Sequence, residues 1–225
     1  MLGFSAAAAQ AASFKADVGT LNGSGVTGTV LLDLSDDKKT LTVTTTATGL
    51  EANQTHVQHI HGLFSGGAVA NSIVPTLAND LDGDGFIEVA EGAPAYGPII
   101  LPLATITTAN GNASVTTTYD LTNPSIFNIN PATGIAFTAA DLMPLTFREI
   151  VIHGLSVPAG VGAGTPGEVN GDGGYLPALP VAAGEIVAVS AASVPEPDMV
   201  ATLALLGTVG GVAVLRRQRS LAANR

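Results

Sequence analysis

The 225-residue sequence has no cysteine, no tryptophan and only eight lysines and arginines against eighteen aspartates and glutamates. Without cysteine there is no disulfide framework, so stability must rest on a hydrophobic core, on bound metal, or on both. Before Val194 the charge imbalance sharpens to sixteen acidic residues against Lys15, Lys38, Lys39 and Arg148. A surface so short of positive charge argues against nucleic acid and anionic lipid as partners, and suits a protein that meets cations. Phosphate-binding loops are also lacking. Ser65-Gly66-Gly67 and Gly162-Ala163-Gly164 are loop glycines that do not open a helix after a strand.

What the chain has in quantity is short β-branched runs separated by turn residues. From Gly25 to Leu50, Val30, Leu32 and Leu34 alternate with Thr29, Leu31 and Asp33, Ser35 to Lys39 supply a turn, and Leu41, Val43, Thr45 and Ala47 alternate on the return, which predicts a hairpin. Further strands are expected in Ile99–Thr108, Ala113–Tyr119, Phe147–His153 and Glu185–Ser190, and one helix in Thr138–Leu142, where Thr138 and Asp141 are spaced as a capping box. Seven or eight such strands predict an all-β antiparallel sandwich or barrel in one domain. Two segments, Leu63–Pro98 and Leu155–Pro180, are too long and too rich in glycine and proline for hairpin loops, and are expected to carry ligands or function.

The ends of the chain concern its destination. Val194-Pro195-Glu196-Pro197 precedes an unbroken apolar run of seventeen residues, Met199 to Leu215, followed by Arg216, Arg217 and Arg219. At about 1.5 Å per residue the run is just long enough to cross most of a bilayer's hydrocarbon core as a helix, with the arginines on the cytoplasmic side. These three parts in this order resemble the PEP-CTERM sorting tail of Gram-negative bacteria. The resemblance implies an inner-membrane-anchored precursor, recognition by an exosortase at Pro195-Glu196-Pro197, and delivery to the cell surface or extracellular matrix. At the other end, Ala6 to Ala12 has the small residues of a signal-peptidase region, but no charged start or long apolar core precedes it. Residues 1–12 therefore read as the remnant of a signal peptide or a flexible leader.

Between leader and tail, His56-Val57-Gln58-His59-Ile60-His61-Gly62, Arg148-Glu149-Ile150-Val151-Ile152-His153-Gly154 and Gly184-Glu185-Ile186 stand as landmarks. Together they resemble a CHRD domain over roughly residues 13–192, a module common in bacterial exported proteins. The resemblance implies an immunoglobulin-like β-sandwich with long loops. The arginine and glycine that usually continue the last motif are replaced here by Val187 and Ala188.

Two places can carry chemistry. Asp80-Leu81-Asp82-Gly83-Asp84-Gly85-Phe86-Ile87-Glu88-Val89-Ala90-Glu91 matches a calcium loop: Asp80, Asp82 and Asp84 stand at positions one, three and five, Phe86 offers a carbonyl, Glu88 can act through water, and Glu91 can bind with both oxygens. Five carboxylates in twelve residues repel one another unless a hard cation gathers them. Pro75 before the loop and Pro94 after it disfavour a pair of long flanking helices, so calcium is expected as a clamp on the excursion, with Ile87 packed inward.

Three of the four histidines fall within six residues. On a strand, His59 and His61 share one face about 7 Å apart, and His56 and Ile60 share the other. His153 is the natural third ligand if the two strands are neighbours, and three imidazoles suit copper or zinc. The His-x-His strand resembles the metal site of copper/zinc superoxide dismutases, although no further histidine is available to bridge two metals. The alternative is that these histidines hydrogen-bond to backbone. The expected role is a calcium-binding surface or matrix module acting by binding or structure, with an extracellular polysaccharide or matrix protein as partner. The rival is a copper- or zinc-dependent redox protein using His59, His61 and His153.

Overall fold

A computed structural model of the protein describes residues 12–189. The leader up to residue 11, the Pro195-Glu196-Pro197 motif, the apolar run and Arg216, Arg217 and Arg219 lie outside the described residues. Among the described residues no helix is long and apolar enough to cross a membrane.

The domain is antiparallel β with few helices. Its strands are β1 (Ala12–Thr20), β2 (Thr27–Leu34), β3 (Thr40–Thr48), β4 (Thr55–His56), β5 (Gln58–Ser65), β6 (Ala68–Ala70), β7 (Ile99–Pro102), β8 (Ile106–Thr107), β9 (Ala113–Asp120), β10 (Arg148–Val157), β11 (Gly174–Glu185) and β12 (Val187–Ala188). The helices are α1 (Val89–Tyr96) and α2 (Ala139–Leu142). The main sheet runs β6-β5-β10-β11-β1-β2-β3-β9, with β7 on β5 and β12 on β1. β1 joins its two halves: residues 12–18 pair with β2, whereas Gly19 and Thr20 pair with β11.

Period-two patterning decides which face each residue buries. In the hairpin, Val30, Leu32 and Leu34 of β2 and Leu41, Val43, Thr45 and Ala47 of β3 are buried, while Leu31 is 47% exposed. The outer face of β3 is a threonine ladder, Thr42 against Thr118 (3.0 Å) and Thr44 against Thr116 (2.9 Å) on β9. The hairpin's inner residues share one core with Ile60 of β5, Ile100 and Leu101 of β7, Ile150 and Ile152 of β10, and Val181 of β11. A buried polar link crosses it: Thr45 Oγ1 donates to Gln58 Oε1 (2.9 Å), and Gln58 Nε2 donates to Ala104 O (2.7 Å).

Arg148 is fully buried at one end of this core. Its guanidinium donates to the last carbonyls of α2, Leu142 O (3.1 Å) and Asp141 O, and lies over the Phe64 ring at 5.3 Å. A cation at a helix C-terminus is where the exposed carbonyls favour it. Thr138 caps the start of α2 through a reciprocal pair with Asp141.

Several expectations need correction. Helix is not confined to Thr138–Leu142, because α1 forms after the acidic loop despite Pro94 inside it. Glu91 Oε2 accepts from the amide of Glu88 at the N-cap (3.1 Å), and Pro94, inside the helix, gives up one internal amide donor. The second excursion is shorter than Leu155–Pro180, since β10 runs to Val157 and β11 starts at Gly174, enclosing a loop of residues 158–173. Ile99–Thr108 is two strands with different partners, β7 on β5 and β8 on β4. The strand expected over Glu185–Ser190 is reduced to β12, because β11 ends at Glu185 and Ile186 turns inward to be buried.

Candidate metal centre

β5 and β10 are neighbours in register, with His61 opposite Glu149 and His59 opposite Val151. Because Ile150 and Ile152 face the shared core, Glu149, Val151 and His153 must face the other way, as must His59 and His61. That outer face is covered by the first excursion. Val151 packs with Ile87 and Tyr96 in a second small core. The local chain geometry at His153 depends on Gly154, which sits at φ 110° beside an irregular step in the pairing with β11. A side chain on Gly154 would run into the Tyr175 hydroxyl.

The topology thus brings the three histidines together. One ring nitrogen from each lies within 4.8 Å of the others. Ring centroids are 5.6 Å apart for His59 and His61, 5.1 Å for His59 and His153, and 6.0 Å for His61 and His153. Nitrogens sharing one tetrahedral ion, bonded at about 2.0–2.1 Å, sit roughly 3.4 Å apart, so small ring rotations close the trio.

Hydrogen bonds set the tautomers. His61 Nδ1 donates to Gly97 O (2.9 Å) and His153 Nδ1 donates to Ala178 O (2.5 Å). A carbonyl only accepts, so each of these rings carries its proton on Nδ1 and leaves Nε2 bare. Those two Nε2 atoms, and Nδ1 of His59, are buried without a partner. Holding a ring by its distal N–H while the other nitrogen points inward is how proteins orient imidazole ligands. Burial is the main reason that all three stay neutral: His59 and His153 titrate at about 4 and His61 at about 3. The donor set fits a borderline-soft divalent ion such as zinc or copper. His56 is not part of the group, since its nitrogens meet His153 O (3.0 Å) and Glu51 O (3.2 Å).

A cavity of about 480 Å³ opens over these imidazoles, walled by Val57, Val89, Tyr96, Ile99, Ile129 and Pro177 among others. It has the size of a small-molecule site.

The acidic loop lies on the same excursion. Atoms of Asp80, Asp82 and Asp84 lie within 4.8 Å of one another, as do atoms of Asp82, Glu88 and Glu91, so Asp82 joins two overlapping groups. The loop's backbone is folded around its own carboxylates: Asp80 accepts from the amides of Gly83 (2.8 Å) and Gly85 (3.0 Å), and Glu91 from those of Leu81 (2.6 Å) and Glu88 (3.1 Å). Phe86, between Asp84 and Ile87, packs its ring with Val157, Val169 and Leu179. Ile87 is buried as expected and is pinned by Asn22, which accepts from its amide (2.7 Å) and donates to its carbonyl (2.9 Å). Glu88 reaches the second excursion, where Oε1 accepts from Val169 N (2.6 Å). Among the described residues the only ion pairs are Lys15 with Asp17 and Lys39 with Asp37, so no cationic side chain pairs with these five carboxylates. Burial, then like charge, pushes Asp84 and Glu88 above the usual carboxylate range. Residues 170–173 bend into the start of β11, with Asp172 N donating to Asn170 Oδ1 (3.0 Å).

Sequence reasoning missed the parts that link these features. α1 starts at loop residues Glu88 and Glu91 and ends at Tyr96 and Gly97, which touch His61 by a ring edge at 4.6 Å and by the carbonyl bond. Glu149 was also missed. Both its oxygens are buried without a partner, and burial, reinforced by Glu185, raises it to about 8. Its spacing to Val151 and His153, two and four residues on, was the available signal that it shares their face.

No family model matches the chain, and no curated protein matches it.

Proposed function

We infer that the protein is a metal-binding module of the bacterial cell surface or matrix, in which His59, His61 and His153 hold one copper or zinc ion. One observation carries this reading: three imidazoles from two adjacent strands converge, one ring nitrogen of each within 4.8 Å of the others, and each ring keeps one nitrogen buried without a partner. Leaving three such buried nitrogens without a protein partner costs folding free energy, and a bound ion removes that cost. Three protein ligands leave a fourth position facing the cavity, which suits capture of a small ligand on the metal. The hydrogen-bonding alternative accounts for His61 Nδ1 and His153 Nδ1 but leaves the other nitrogens without a role.

In the same reading the Asp80–Glu91 loop binds calcium and clamps the excursion that roofs the histidines. Its support is the match at every diagnostic position together with five carboxylates that no cationic side chain among the described residues pairs. The finer fold, an immunoglobulin-like sandwich of the CHRD type, is supported by the landmark motifs falling on β5, β10 and β11. The tail residues Pro195, Glu196, Pro197, Arg216, Arg217 and Arg219 would direct the precursor to the inner membrane and an exosortase before release to the surface. Binding, to a polysaccharide or matrix protein, is the role proposed, not catalysis. The test is elemental analysis of the purified chain. Wild type is expected to retain about one zinc or copper with its calcium, and His153→Ala to lose the transition metal while keeping the calcium. Calcium alone in both proteins would leave the histidines as backbone partners.

A further inference from the structure

The walls above the three histidines say what the fourth ligand is. Val57, Val89, Ile99, Pro131 and Pro177 line the cavity, and the phenol oxygen of Tyr96 is already engaged with Val89 O (3.2 Å). Among the described residues no lysine or arginine lines it, and apart from the histidines and Tyr96 its polar side chain is the uncharged amide of Asn128. Arg148 is spent on the carbonyls of Asp141 and Leu142, Lys15 pairs with Asp17, and Lys38 and Lys39 sit in the turn between β2 and β3. At the rim, Ile129 is 53% exposed, on a short turn closed by the Ile129–Ala136 bridge. This is an apolar side chain left open beside an apolar cavity.

Charge decides the rest. Three neutral imidazoles bring no negative charge to a divalent ion, and Glu149, although opposite His61 on the same face, is not among the grouped ligands, so an anionic donor in the fourth position relieves the remaining charge. With no lysine or arginine in the lining, an anion entering this cavity has only the metal to meet its charge.

We propose that the centre binds monocarboxylates with an apolar body, the carboxylate oxygen on the metal held by His59, His61 and His153 and the hydrocarbon against Val57, Ile99 and Ile129. This rests on the metal reading and adds its ligand class. Two consequences distinguish it from generic apolar binding. The carboxylate binds only to metal-loaded protein, because the cavity itself carries no positive charge. Affinity rises with chain length, by up to about fourfold for each methylene taken from water until the cavity is filled.

The experiment uses the purified chain loaded with cobalt(II), whose visible bands report the coordination of the ion, titrated with acetate, butyrate, hexanoate and the neutral hexanol. The expected result is saturable change in the bands with all three acids, hexanoate binding at least tenfold more tightly than acetate, no hexanoate binding to metal-free protein, and no change in the bands with hexanol. Ile129→Asn, an exposed rim position, should weaken hexanoate severalfold and leave cobalt affinity unchanged. If cobalt binds in one-to-one ratio but hexanoate is no tighter than acetate, or binds the metal-free protein equally, the ligand assignment is wrong and the metal centre stands. If cobalt does not bind, or binds as well to His153→Ala, the metal reading falls and takes this proposal with it.

Discussion

Replacing Glu149 with glutamine isolates a fully buried carboxyl that has no hydrogen-bond partner. Its carboxyl is fully buried between His61 on β5 and Glu185 on β11, with Tyr96 of α1 close enough to be raised by its charge. Arg148, next in the chain, points to the opposite face and gives it no counter-charge. Burial first, and Glu185 second, hold it protonated up to about pH 8, against an ordinary value of 4.5. The sign follows: a carboxyl whose folded pKa is raised contributes stability below pH 4.5 that is lost as pH rises toward 8. Each pH unit in that window removes about 1.4 kcal/mol, so the loss approaches roughly 5 kcal/mol as a ceiling. For a domain of this size about 1 kcal/mol corresponds to roughly 2–4 °C in Tm. Glu149→Gln should melt within a few degrees of wild type at pH 5, then gain on it by roughly 3–6 °C per pH unit up to pH 8. The assay is thermal melting of both proteins in a metal chelator, with the difference in Tm plotted against pH. Asp84, Glu88 and the three histidines also titrate anomalously, but both proteins share them, so the difference curve removes most of their contribution. A flat difference between pH 5 and 8, or wild type gaining on the variant, would refute the reasoning.

Other predictions concern the remaining supports. Without metal, His59, His61 and His153 should make the domain acid-labile: folded pKa values of about 4, 3 and 4 lie below the ordinary 6.5, so their stability is full above pH 6.5 and drains as pH falls toward 4. A urea midpoint that stays constant from pH 7 to 4.5 contradicts this. Arg148→Ala should destabilise by about 3 kcal/mol or more, because it strands buried carbonyls at the end of α2 and removes the guanidinium held over the Phe64 ring, and equilibrium denaturation measures it. Asn22→Ala removes three bonds, to the amide and carbonyl of Ile87 and to Pro180 O, and should cost about 1–3 kcal/mol while speeding proteolysis of the acidic excursion. Gly167→Ala should lift the second excursion off Glu88, since the residue sits at φ 124° and an added methyl would collide with that carboxylate. Loss of hydrogen-exchange protection at Val169 is the readout.

How much of this was legible in the sequence depends on the range of the interactions. The β2–β3 hairpin was readable because alternation over Val30–Leu34 and Leu41–Ala47 records burial on one face directly. The α2 cap was equally local, needing only Thr138 and Asp141 three apart. The pairing of β5 with β10 was not local. It joins residues about ninety positions apart, so whether His153 met His59 and His61 awaited the register. α1 was hidden because Gly92 and Pro94 weaken its intrinsic propensity, while its stability comes from Tyr96 buried against Val151 and from the Glu91 carboxylate on the Glu88 amide. Glu149 was hidden by assumption: a charged residue within an apolar strand reads as the solvent-facing member, and only the excursion folded above it shows that face to be buried.

The central claim is that His59, His61 and His153 hold one transition-metal ion, and X-ray absorption at the zinc edge of the zinc-loaded protein tests it most directly. The account predicts three nitrogen scatterers at about 2.0–2.1 Å with the outer-shell pattern of imidazole rings, falling to two in His153→Ala. A first shell made only of oxygen, or a spectrum unchanged by His153→Ala, would contradict it.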